Sequence, residues 1–85
     1  MKEETPVWVS IIEDLKDIRE GLAALIAATS GFRCVGAFGS MEETLPGIHK
    51  NLPDILLIRT RGLQQPLRII QAAEAGIRRF GLAPT

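Results

Sequence analysis

Two adjacent carboxylates, Glu13 and Asp14, stop the apolar run Val7-Trp8-Val9-Ser10-Ile11-Ile12. By residue type alone, Asp14 or Asp17 caps a following helix and Glu13 is solvated. Arg59 closes a second apolar run, Asp54-Ile55-Leu56-Leu57-Ile58. It is a permanent cation and not a nucleophile. Asp54 opens that run. In a strand rising ~3.3 Å per residue it stands at the end opposite Arg59, where it caps or bridges locally. His49 is the single histidine, sits in a predicted helix and has no nucleophile or carboxylate at a telling spacing. Cys34 reads as a small buried hydrophobe, and one cysteine excludes an internal disulfide or a multi-cysteine metal site. Trp8 alternates with Val7 and Val9, which suits a sheet face in the core or at a partner contact. Gly36 and Gly39 do not have the spacing of a phosphate loop, and no dinucleotide glycine motif is present. Arg59, Arg61, Arg68, Arg78 and Arg79 could bind an anion or a nucleic acid. Without an aromatic platform or a helix-turn-helix, they read as a solvated basic face. No constellation here calls for an enzyme.

These residues need a scaffold, and the apolar pattern supplies one. Val7–Ile12 reads as a buried strand. Leu15, Ile18, Leu22, Leu25 and Ile26 recur at spacings of three and four, which predicts a helix ended by Gly31. Phe32–Phe38 is a weaker strand. Ser40-Met41-Glu42-Glu43 is a capping box opening a helix with Leu45, Ile48 and Leu52 on one face. Pro46 inside it predicts a kink, or a loss of ~3 kcal/mol. Pro53 breaks the chain, and Asp54–Ile58 is a third strand, buried on both faces. Residues 59–65 read as irregular. A further helix runs from Pro66 to Ala75 with Gly76 at its end, and Ile77–Leu82 forms a poor last strand. The alternation of strand and helix predicts an α/β fold with a parallel sheet and right-handed crossovers. Residues 1–6 are a frayed leader.

Composition bounds the function. The 85 residues make one small domain, 46% hydrophobic and 24% charged, which is a globular balance. Ten basic and ten acidic residues cancel, so net charge gives no argument for nucleic acid or an anionic membrane. No apolar stretch approaches the ~20 residues of a membrane span, and the N-terminus has no apolar signal core. A cytoplasmic protein is the expectation. A core this small gains from a partner surface. The charge is nonetheless segregated. Residues 1–58 hold five basic and nine acidic residues; residues 59–85 hold five arginines and one glutamate. The second segment lacks lysine, aspartate and valine. It is either a basic edge on an acidic domain or sequence altered by a deletion, a junction or a change of reading frame.

The segment Val7–Ile58 resembles the N-terminal half of a bacterial response-regulator receiver domain, closest in flavour to the LuxR-type class. The resemblance lies in a strand ending Ile-Ile-Glu-Asp, in Asp17-Ile18-Arg19-Glu20-Gly21-Leu22 with Leu25, and in Gly31-Phe32 leading to Val35-Gly36. Leu52-Pro53-Asp54-Ile55-Leu56-Leu57-Ile58 completes it. It implies a flavodoxin-like open parallel sheet with helices on both faces. The expected strand order is 2-1-3 plus one poor C-terminal strand. Residues 69–84 are weakly similar to the family's fourth helix and fifth strand, with Ala83 where a lysine would stand; alternatively, residues 59–85 are unrelated sequence.

The resemblance also assigns roles. In a receiver, acidic residues after the first strand and an acceptor aspartate after the third hold Mg²⁺. Glu13 and Asp14 match the first two, whereas Arg59 stands at the acceptor position. Mg²⁺ prefers carboxylate and phosphoryl oxygens, so two carboxylates without the third imply a weak site. Arg59 either pairs with Glu13 or Asp14, imitating the metal's charge, or swings out to solvent. Thr60 and Thr85 match no switch hydroxyl. Three functions follow as expectations. The first is a receiver-type module of two-component phosphorelay signalling without an acceptor aspartate, acting through a protein partner or a homodimer. The second is an altered form of a phospho-accepting transcriptional regulator, served by a cognate sensor kinase and a DNA-binding domain that this chain lacks. The third is a small anion- or nucleic-acid-binding protein using Arg61, Arg68, Arg78 and Arg79.

Overall fold

The computed structural model describes residues 5–48, 50–59 and 64–82, with the backbone alone at 64, 65 and 82. Residues 1–4 of the leader, His49, Thr60, Arg61, Ala83 and Thr85 lie outside them. The chain runs β1 (Val7–Glu13), α1 (Lys16–Ala28), β2 (Phe32–Phe38), α2 (Met41–Thr44), a 3-10 turn (Leu45–Gly47), β3 (Ile55–Arg59), α3 (Gln64–Glu74) and β4 (Phe80–Leu82). The four strands form one parallel sheet in the order β2-β1-β3-β4. The expected order 2-1-3 plus a C-terminal strand is therefore present.

The sheet's register sorts the side chains. Val9, Ile11 and Glu13 stand beside Ile55, Leu57 and Arg59, on one face; Ser10 and Ile12 stand beside Leu56 and Ile58, on the other. The core lies on the second face. Ile12, Leu56 and Ile58 pack with Met41, Ile48, Ala72 and Ile77, all of them buried. Thus α2, the turn after it and α3 cover that side. On the first face α1 leans on β1 and β2. None of its thirteen residues is fully buried. Beyond α1 lies an open apolar groove of about 260 Å³, lined in part by Val9, Leu25, Phe32, Ile55 and Leu57.

Several expectations are corrected. The second helix does not run to Leu52. Ser40 caps it as expected, accepting the Glu43 N–H at 3.2 Å. Pro46, however, has no N–H to continue the α ladder, so the chain tightens into the 3-10 turn after one α-helical turn. Neither Asp14 nor Asp17 caps α1. The N-cap is Leu15, with no side-chain bond. The third strand spans Ile55–Arg59, one residue later than expected, and α3 starts at Gln64, which places Pro66 inside its first turn, where proline is tolerated. The last strand is only Phe80–Leu82. It pairs directly with β3, the fourth place in a 2-1-3-4-5 sheet. Gly76 does end α3, at φ +106°; Gly31 does not end α1, which stops at Ala28 with Thr29 as its cap, and at φ +89° it instead shapes the turn into β2.

Candidate functional site

Crossovers leave β1 and β3 on opposite faces of the sheet, through α1 and α3. The crevice at their carboxyl ends is where open α/β sheets bind ligands. The residues there are Glu13, at the end of β1, and Arg59, at the end of β3, which are register partners. Glu13 is fully buried, not solvated as its residue type suggested. Its Oε2 lies 2.9 Å from Nη1 of Arg59, whose side chain is about a quarter exposed. Its Oε1 accepts the Leu15 N–H at 3.0 Å. The backbone carbonyl of Glu13 accepts a bond from Arg19 Nη1 at 2.8 Å. Both carboxylate oxygens of Glu13 therefore have protein donors. Asp14, the next residue, is exposed.

Gly39, just past β2, makes room for this arrangement. A Cβ there would stand 3.1 Å from Arg19 Nη1 and 2.9 Å from Glu43 Oε2. Both contacts are tight, so the ends of the Arg19 and Glu43 side chains would have to shift. Arg19 belongs to the stretch that carries the family resemblance, but the sequence assigned it no role at the site. Its reach back to the Glu13 carbonyl comes from tertiary geometry.

The donor set does not fit a divalent cation. Mg²⁺ seeks an octahedron of oxygens, and here a guanidinium occupies the side of Glu13 that faces β3. Among the described residues no group of three His, Cys, Asp or Glu side chains could hold a metal. The arrangement instead provides a fixed positive charge against a buried carboxylate.

Among the described residues, Arg68 does not converge with Arg78 and Arg79. Arg68, on α3, bonds to Glu42 of α2, Nη1 to Oε2 at 3.2 Å and to Oε1 at 3.4 Å, and so ties two helices. The Glu42 carboxyl is held below its ordinary value, first by its own backbone N–H and then by Arg68. Arg78 and Arg79 are exposed and lie beside Asp54 at the amino ends of the strands, away from Glu13. Asp54 bridges at that end, where its Oδ2 accepts the Trp8 N–H at 2.8 Å. Trp8 in turn carries the Arg33 guanidinium 5.5 Å from its ring centroid. Cys34 is half-buried and its thiol points to the Gly36 carbonyl.

No protein-family model and no curated protein matches the chain. Among solved structures it is similar to the signal receiver domain of a protein described as a response regulator, NarL from Mycobacterium tuberculosis. The two share 20% identity with a TM-score of 0.62, over 93% of this chain and 85% of that one. A likeness at this identity establishes the fold: a flavodoxin-like, receiver-type α/β sheet. No described helix is long and apolar enough to cross a membrane.

Proposed function

We propose that this chain is a receiver-type module of two-component signalling in which a fixed ion pair replaces phosphoryl switching, and that it works by associating with protein. One observation carries this reading: Arg59 Nη1 lies 2.9 Å from Glu13 Oε2. An arginine cannot accept a phosphoryl group. A guanidinium at this place supplies, permanently, the positive charge that a divalent cation would bring. The pocket then has neither an acceptor nor a free carboxylate for Mg²⁺, and its charge does not vary with kinase activity. The LuxR-type character rests on the sequence resemblance of Val7–Ile58. The wide separation of Arg68 from Arg78 and Arg79 weighs against an anion-binding role.

The test is intact mass after incubation with acetyl phosphate and Mg²⁺. The expected result is no added phosphoryl group in a folded protein, with the same melting temperature in Mg²⁺ and in chelator. A stoichiometric phosphoryl adduct on the wild-type chain sinks the proposal.

A second reading is favoured by the composition break, which falls immediately before Arg59. The chain is then an altered form of a phospho-accepting transcriptional regulator. The nucleotide sequence decides: an aspartate codon at this position in another frame, followed by a helix-turn-helix, would support it.

A further inference from the structure

α1 is unlike an ordinary surface helix. From Gly21 to Phe32 the chain carries no charged residue. Gly21, Ala24, Leu25 and Ala28 are nevertheless exposed, and Leu25 is 64% accessible. A helix that is apolar all round is normally enclosed. Here no residue of α1 is buried, and the groove beside it leaves Ile55 and Leu57 of β3 only half-covered. Parallel sheets are covered on both faces as a rule. The helix and the bare half of the sheet thus form one continuous apolar surface.

We infer that this surface is a two-fold interface, in which the C-terminal half of α1 from each of two copies lies in the other's groove over β3. The inference rests on the reading that the chain works by association. Charge selects the occupant. A two-fold axis lays a patch upon itself, so any net charge would meet its own sign. A patch free of charge from Gly21 to Phe32 avoids that repulsion. At the other end of α1, Lys16, Asp17, Arg19 and Glu20 hold two charges of each sign. Shape agrees. An apolar void of about 150 Å³ holds a benzene ring, so a groove of about 260 Å³ has room for Leu25 of a second copy. The exchange is reciprocal, and the assembly closes at two. The exposed residues Leu67 and Ile70 of α3 form a competing apolar ridge, but α3 lies on the opposite face of the sheet. Placing α3 of a second copy in the groove would be a head-to-tail contact, which gives rings or open-ended chains.

The experiment is sedimentation velocity on the full chain over a wide concentration range. The variants are Leu25→Asp, Ala24→Glu and, on α3, Ile70→Glu. All three positions are exposed in the single copy, so far-UV circular dichroism should be unchanged. The wild type should form a closed dimer. Leu25→Asp and Ala24→Glu should each weaken it roughly tenfold or more, the scale of an interface anchor, and Ile70→Glu should leave it intact. A wild type that stays monomeric overturns the inference and assigns the groove to a different protein. Rings or open-ended species abolished by Ile70→Glu overturn it in favour of α3. A dimer indifferent to the α1 variants also overturns it. The mass measurement above is independent: an unphosphorylated monomer would leave the ion-pair reading standing, and a phosphorylated dimer would leave only the interface.

Discussion

On one face of the sheet Leu56 and Ile58 are inaccessible to solvent; on the other, Ile55 and Leu57, their neighbours in the same strand, are half-covered. The strand is equally apolar on both sides. The difference lies in what the rest of the chain brings to each. One face receives α2, the 3-10 turn and α3; among the described residues the other receives only α1, which reaches β1 and β2. A run of four apolar residues therefore states that both faces should be enclosed, but not whether its own chain encloses them.

Substitutions can break this comparison. Ile58→Ala removes a side chain with no accessible surface and should lose about 4 kcal/mol. That is much of the stability of a small domain, and urea denaturation would read it. Arg59→Ala comes next. It strands the buried carboxylate of Glu13 and should lose about 3 kcal/mol. Glu13→Gln should lose less, because Arg59 is partly exposed and can turn to water. Equal losses from the two variants would mean that the pair is not asymmetric in burial. Leu57→Ala, at dilutions where the chain is a single copy, should lose about 1 kcal/mol or less, since its face is already open to solvent. A loss matching that of Ile58→Ala would erase the distinction between the faces.

The smallest effect is electrostatic. The Glu42 carboxyl is held below its ordinary value, so its contribution is present above the usual carboxylate range. It is lost as pH falls through the lowered value. In Arg68→Gln, side-chain NMR should find Glu42 titrating closer to its ordinary value. The return should be partial, because its own backbone N–H is the larger cause.

The scaffold was largely legible. Apolar runs located β1, β2 and β3 within one residue, and the three-four spacing located α1. The second helix was not, because Ser40 and Glu43 fix where a helix starts and not how far it runs. Pro46 decided its length. At the site, the pair of Glu13 and Arg59 was one of two alternatives in the sequence. Adjacent carboxylates do not say which will be buried. Only the register, which sets Glu13 beside Arg59 and leaves Asp14 outside, decides it. Arg19 was invisible for the same reason: its bond to the Glu13 carbonyl exists only once α1 has folded back. The groove was half legible, since the uncharged stretch after Glu20 is plain in the sequence, but its exposure is not.

The strand order also bears on how the chain reaches this state. β1 comes first in the sequence yet lies inside the sheet, and its partners on the β3 side, such as Arg59 for Glu13, stand 46 residues further on. Closing so long a loop loses entropy before any contact compensates it, and parallel pairings of this kind make folding slow. During synthesis, at roughly 5–20 residues per second, β1 can acquire β2 early but must wait for Ile55–Arg59 with one edge open. The strand made first is enclosed late, and that interval is when the chain is most open to wrong pairings or to help from a chaperone.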